Sequence, residues 1–317
     1  MSESADFNPG PWQGHDFKAA RAVYDRHAGR SYAEAVAQNK STKDLVPPSL
    51  LTQSRRPLVV SIDLTGSMEE WPATICEKIA YFDLEVQEYL GEDTEVSFNG
   101  IGDATKGDRY PLQVRPFTKG LDLKVQLYKL INEHGGGGGG EESYQLAALY
   151  YARKVSMPNA IRPIHIFIGD EQPYPSVDPT QAKNFAYEDL RESVSTKGIF
   201  EELKQKYSVY IIRKPYPSMD SIIQGHWERL LGVDHVAPLP DPNRVVDVIF
   251  GILAKETTRI DYFYNELDGR QTPAQRAIVR ESLKTVHTLP NGDFKALRSG
   301  RSVLHRPIQG EDSAPLI

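Results

Sequence analysis

Asp63, Thr65 and Ser67 stand at alternate positions in the stretch VVSIDLTGSMEEW, directly after an apolar run. In extended backbone, side chains two residues apart point the same way, so one carboxylate and two hydroxyls can converge on one point. Such a hard-oxygen set suits magnesium, calcium or manganese rather than zinc. The same residues also have a plainer reading, with Thr65 and Ser67 as helix caps and Asp63 as a solvated strand end.

Two further segments bear on that choice. Six consecutive glycines, Gly135 to Gly140, empty into Glu141, Glu142 and Ser143. Acidic residues at a helix start gain ~0.3–1 kcal/mol from the macrodipole, which accounts for the acids but not for the glycines. Each glycine costs conformational entropy to order, so the run suits backbone that passes close to a site or moves there, or else a flexible connector. It is a poor phosphate cradle, because it follows a helical pattern and the lysine position of a P-loop holds acid. In HIFIGDEQPYP, a second apolar run ends in a carboxylate, Asp170, before a proline-rich loop containing Tyr174.

Other residues near these segments have simpler roles. Asp103 in GIGDA reads as a strand terminator, with an outer-shell acceptor or an adjacent metal site as the alternative. Trp71 and Tyr174 are placed to border the site, or, for Trp71, to pack on the sheet edge. His134 precedes the glycines without a His or Cys partner at ligand spacing and reads as a helix-end histidine.

The elements that must position these residues follow from periodicity. PLVVSID is nearly all apolar, as expected of a parallel strand covered on both faces. Helical spacing then runs through ATICEKIAYFDLEVQEYL, with Ile75, Ile79, Phe82, Val86 and Tyr89 at steps of three and four. TEVSFNGIGDA and YPLQVRPF read as a hairpin, DLKVQLYKLINEH and EESYQLAALYYARKV as helices, and PIHIFIGD as a strand. NFAYEDLRESV and IFEELKQKY read as helices, SVYIIRK as a strand, MDSIIQGHWERLL as a helix and DHVAPLP as a short strand. NRVVDVIFGILAKETTRIDYFYNEL reads as one long helix. Strands alternating with helices predict an α/β fold with a doubly wound, mostly parallel sheet and one antiparallel edge strand over residues 57–265. In such sheets ligands bind beyond the carboxyl ends of the strands, where Asp63 and Asp170 are delivered.

Residues 1–56 read as an N-terminal arm with two short helices, Asp16 to His27 and Ser31 to Lys40, the second capped by Ser31. Residues 266–317 read as a polar extension, with one helix in PAQRAIVRESLK and a tail expected to be loose. The chain has 317 residues, 39% apolar, with a net charge of -6, enough for a sizeable core and without a uniformly basic nucleic-acid footprint. Arg298, Arg301 and Arg306 form only a local basic patch. The single cysteine, Cys76, allows neither an intrachain disulfide nor a cysteine-based zinc site. No apolar signal core or membrane-length run is present, so the expectation is a cytoplasmic protein without nucleic-acid or membrane partners.

Together the three acidic segments resemble the von Willebrand factor A domain and its metal-ion-dependent adhesion site. The family pattern is Asp-x-Ser-x-Ser after the first strand. Here it reads Asp63-Leu64-Thr65-Gly66-Ser67, with a Thr that keeps the hydroxyl. Many members complete the site with a Thr in the second loop, which this glycine loop lacks. GGEES is instead similar to the Gly-x-x-Pro-Glu pattern of the integrin β-subunit branch, where Glu is the ligand. That match makes Glu142 the candidate, with Glu141 its neighbour, and Asp170 matches the Asp after the fourth strand.

The resemblance covers residues 57–265 and implies a set of roles. Thr65 and Ser67 would contact a metal directly, Asp63 and Asp170 directly or through water. Glu142 would make the site more anionic than a Thr-type site, favouring the metal over a partner's acid. The metal would be Mg2+, with Mn2+ or Ca2+ as alternatives, leaving one position open to an Asp or Glu from a partner protein. The expected function is a non-enzymatic, metal-dependent protein-interaction module. Intracellular members of this family commonly work beside an AAA+ ATPase or in multi-protein assemblies. Two other readings stand beside it. One is a hydrolase with Asp63 as nucleophile, although haloacid-dehalogenase-type phosphatases need a second Asp where this chain has Thr65. The other is a structural domain whose site holds no metal.

Overall fold

The computed structural model describes residues 16–133 and 139–286. His134 and the basic patch at Arg298, Arg301 and Arg306 lie outside the described residues.

Six strands form the central sheet of the described chain: β1 (Leu58–Asp63), β2 (Val96–Ile101), β3 (Leu112–Val114), β4 (Ile164–Gly169), β5 (Ser208–Arg213) and β6 (Val236–Pro238). Their spatial order is β3-β2-β1-β4-β5-β6, all parallel except β3, which runs antiparallel to β2. The protein is thus α/β with a mostly parallel sheet, and the expected hairpin forms its antiparallel edge.

The near-continuous apolar strands are explained by burial on both faces. Leu58, Val60 and Ile62 of β1 join one core with Ile164, Ile166 and Ile168 of β4. Val59 and Phe167 join the core on the other face. The first core is closed by α1 (Phe17–Ala37), α2 (Glu70–Glu77), α3 (Ile79–Leu90), α4 (Leu121–Tyr128), α9 (Val245–Glu256), α10 (Ile260–Arg270) and α11 (Pro273–Ser282). The second is closed by α5 (Tyr144–Arg153), α6 (Pro179–Phe185), α7 (Thr196–Lys206) and α8 (Asp220–Leu231). No described helix is long and apolar enough to cross a membrane.

Residues on either side of the expected 57–265 span share its core. Phe17, Tyr24 and Ala28 of α1 are buried in it, as are Val279, Leu283 and Val286. A Cβ at Gly251 would lie 2.1 Å from Leu283, so α9 meets the C-terminal segment at glycine distance.

Several helix boundaries differ from the sequence expectation. The two N-terminal helices are one, α1, and Ser31 is an interior residue whose hydroxyl donates to the Ala28 carbonyl rather than a cap. Gly29 lies between them but faces open space, so the buried stripe runs past it unbroken. The helix expected after β1 breaks at Lys78, whose ammonium donates to the Asn243 carbonyl. The helix before the glycines ends at Tyr128, because the Gln113 side chain clamps both the N–H and the C=O of Ile131. The segment after Phe185 leaves the helix, and Tyr187 takes a left-handed φ of 52°. The long C-terminal helix breaks between α9 and α10, where Thr258 has φ 55°.

Candidate metal centre

The strand order sets the location. From β1 the chain moves to β2 on one side, while β4 pairs on the other side, so the topology reverses between β1 and β4. Ligand crevices in open α/β sheets lie beyond the carboxyl ends at such a reversal. β1 and β4 run in parallel from Leu58↔Ile164 to Ile62↔Ile168, which brings Asp63 and Asp170 to the same edge.

Asp63 is fully buried and held by three donors. One oxygen, Oδ1, accepts from the Thr65 amide at 2.9 Å and the Thr65 hydroxyl at 2.6 Å. The other, Oδ2, accepts from the Tyr144 hydroxyl at 2.8 Å. Because the Thr65 hydroxyl spends its proton on Asp63, its lone pairs remain for an electrophile. Ser67 follows, exposed, in a 3-10 turn, Gly66–Met68, whose Met68 is buried. Its carbonyl accepts from the Lys214 ammonium, which also lies 3.4 Å from Asp170 Oδ2.

Glu141 and Glu142 do not open a helix as expected. They form a two-residue parallel pairing with Gln172–Pro173, and α5 begins afterwards at Tyr144. Gly140 turns the chain into this pairing with φ 79°, and its carbonyl accepts from Gln172. The pairing brings Glu142 to the segment that follows Asp170. Glu142 is fully buried, and neither of its oxygens has a hydrogen-bond partner.

Asp170 Oδ1 and Glu171 Oε2 are likewise buried without a partner. The other Glu171 oxygen accepts from the Gly140 amide, and its carbonyl accepts from the Trp227 indole. Two ionised carboxylates cannot hydrogen-bond each other, but a protonated Glu142 can donate to Glu171.

The electrostatics follow from this crowding. Burial, then Asp170, pushes the Asp63 carboxyl up to about 7 despite its three donors. Burial, then Asp63, Asp103 and Glu171, pushes Glu142 up to about 11. Glu171 is raised by burial and by Asp170. Such a crevice is relieved either by protons or by a cation.

The donor chemistry fits a hard cation. Unpartnered buried carboxylate oxygens on Glu142 and Asp170 adjoin the Asp63–Thr65 pair. Among the described residues no three His, Cys, Asp or Glu side chains form a metal-holding group by themselves.

Of the sequence-predicted residues, the crevice brings together Asp63, Thr65, Glu142 and Asp170. Ser67 reaches it through its carbonyl, while the residue itself is exposed on the turn. Asp103 is a loop anchor. Its Oδ1 accepts from the Thr105 and Lys106 amides, and both oxygens face the Tyr174 hydroxyl, at 3.1 and 2.9 Å. Tyr174 is thereby tied to Asp103, and Trp71 is a core residue at 1% exposure.

Sequence reasoning missed Tyr144, Gly169, Glu171 and Lys214. Tyr144 packs edge-on against Trp227, with ring centroids 5.3 Å apart, and its hydroxyl passes directly over Gly169. A Cβ at Gly169 would fall 1.8 Å from that oxygen, so the Tyr144–Asp63 bond requires glycine at the end of β4. Only the acidic pair Asp170–Glu171 after an apolar strand carried a local signal.

No family model and no curated protein matches this chain. Among solved structures, it is similar to the pilus adhesin SpaC from Lactobacillus rhamnosus GG in its open conformation, at 12% identity and a TM-score of 0.47. That match covers 66% of this chain and 31% of the adhesin. A second form of the same adhesin gives 12% identity and a TM-score of 0.46 over the same shares. The chain therefore spans about a third of the length of these structures, and a likeness of this size carries no functional argument.

Proposed function

We propose that this chain is a metal-dependent protein-interaction module of the von Willebrand factor A type. Asp63, Thr65, Ser67, Glu142 and Asp170 would hold a divalent cation at the β1/β4 crevice. The observation that carries the reading is Glu142, a fully buried carboxyl group whose two oxygens receive no donor, crowded by Asp63, Asp103 and Glu171. A buried charge without a partner is costly, and a carboxylate–hydroxyl crevice with such a charge matches a hard-cation site.

When bound, the ion would offer an open position to a carboxylate of a partner protein. This chain's residues would do the rest. Tyr144 and Thr65 fix the Asp63 carboxylate, Gly169 leaves room for that fixing, and the Gly140 turn delivers Glu142. A binding role is preferred to hydrolysis because the Asp63 oxygens are engaged by three donors and Thr65 stands where a second acid would be needed. The partner would be a protein, with an AAA+ ATPase assembly as the first candidate to test.

Calorimetry with Mg2+ and Mn2+ tests the metal. Saturable binding is expected in the wild type and absent in Asp63→Ala. No binding of either ion at millimolar concentration would remove the reading. Titration of the Mn2+-loaded protein with an acidic peptide, repeated with chelator, tests the open position. Chelator-insensitive binding would assign the peptide to another surface.

A further inference from the structure

Lys214 is the residue that neither the sequence motif nor the reading above assigns. It directly follows β5, whose Arg213 pairs with Gly169, and its amide donates to the Gly169 carbonyl at 2.9 Å. The sheet therefore fixes its backbone beside Asp170. Its side chain turns back across the crevice mouth. The ammonium donates to the Ser67 carbonyl and lies 3.4 Å from Asp170 Oδ2. One positive charge thus bridges the loop after β1 and the loop after β4, with Lys214 meeting Ser67 across 147 residues of sequence.

The surroundings make that charge consequential. Asp63, Asp170, Glu142 and Glu171 crowd the crevice, and three of their oxygens on Glu142 and Asp170 have no donor. The other lysine close by, Lys106, lies 3.4 Å from Asp103, which its own loop already saturates. Lys214 is 31% exposed, so its flexible stem has room to withdraw to water.

We infer that Lys214 is a tethered cation that substitutes for the divalent ion, holding Asp170 and the Ser67 turn when no metal is bound and competing with the metal for them. This rests on the metal-binding reading above and adds a device to it. Competition by a tethered charge weakens metal binding, since the lysine must be displaced or must sit as a like charge near the ion. It also keeps the two loops joined without metal. The open position would then be presented only after Lys214 moves, and its released ammonium would stand at the mouth to meet a partner's carboxylate.

The test compares wild type, Lys214→Met, Lys214→Gln and Lys214→Arg by titration with Mn2+, read by loss of the free-ion electron paramagnetic resonance signal. Thermal unfolding in chelator and in excess Mn2+ is measured on the same samples. The neutral variants are expected to bind Mn2+ about tenfold tighter, the weight of one nearby like charge in a partly screened site. They should also unfold earlier in chelator and gain more from Mn2+ than wild type does. Lys214→Arg should behave as wild type. If wild type binds Mn2+ and the neutral variants bind no tighter, the lysine inference falls and the metal reading stands. Tightening in Lys214→Arg equal to that in Lys214→Met would also overturn it, because charge would not be the cause. If no protein binds Mn2+, the metal reading itself falls and takes the inference with it. Binding only by the neutral variants would overturn the metal reading for the native chain and the competition inference with it, because the lysine would then be the site's permanent cation.

Discussion

Gly169→Ala should disable the centre without touching any proposed ligand. Gly169 is not among the glycines with positive φ, so alanine is tolerated by the backbone and the cost is steric. The added Cβ would lie 1.8 Å from the Tyr144 hydroxyl and 2.7 and 2.9 Å from two of its ring carbons. Tyr144 cannot swing aside, because it is fully buried between Phe167 and Trp227. Overpacking of this kind costs about 1–3 kcal/mol. Displacing the hydroxyl also breaks its bond to Asp63, worth about 1.5–3 kcal/mol for a charged acceptor. The sum is about 2.5–6 kcal/mol, a fall in Tm on the order of 10 °C for a domain of this size. Chemical denaturation measures the loss, and Mn2+ titration measures the accompanying drop in affinity. Tyr144→Phe alone should cost about 1–3 kcal/mol. Because both changes remove the same bond, the double variant should cost less than their sum by about 1 kcal/mol or more. Strict additivity, or a Gly169→Ala protein within about 0.5 kcal/mol of wild type, would refute the claim that Tyr144 is locked over Gly169.

Three further outcomes follow from the same geometry. Glu142→Gln should stabilise the chelator-treated protein at neutral pH by about 1–2 kcal/mol, because the amide is neutral without having to take up the proton that burial forces on Glu142, yet it should weaken Mn2+ at least tenfold; thermal unfolding with and without metal reads both. Thr65→Val removes the hydroxyl that donates to Asp63 at 2.6 Å and should weaken Mn2+ about tenfold, while Thr65→Ser retains affinity. Away from the crevice, Glu85 is pushed up to about 7, first by burial and then by Glu266 and Glu88. A raised carboxyl binds its proton more tightly in the folded state, so stability is full below its unfolded value and falls as pH rises toward 7. Glu85→Gln should therefore leave stability at pH 4 unchanged and raise it at pH 8 by about 1–2 kcal/mol after allowance for screening, as measured by urea unfolding at the two pH values.

The outline of the fold was legible because apolar runs and helical spacing report burial directly. β1 and β4 read as strands covered on both faces, and each was seen to end in a carboxylate. The antiparallel edge was legible from the two strand patterns and the charged turn between them. The helix breaks at Lys78 and Thr258 were not, because neither segment contains a glycine or proline at the break. There, contacts with distant segments outweigh local propensity. Lys78 reaches Asn243, and Lys255, just before the second break, reaches the carbonyls of Leu283 and Val286.

By itself the sequence determined which residues could do chemistry. It supplied Asp63, Thr65 and Ser67 at alternate spacing, a glycine run ending in Glu142, and Asp170 after a buried strand. It could not set them around one crevice. That was decided by the strand order β3-β2-β1-β4-β5-β6, which places the reversal between β1 and β4. Nor could it find Tyr144, which meets Asp63 across 81 residues, or Lys214, which meets Ser67 across 147. Periodicity tells each element which face to bury. Only the packed sheet decides which distant side chain fills the space that face leaves, and whether a charge there finds a partner.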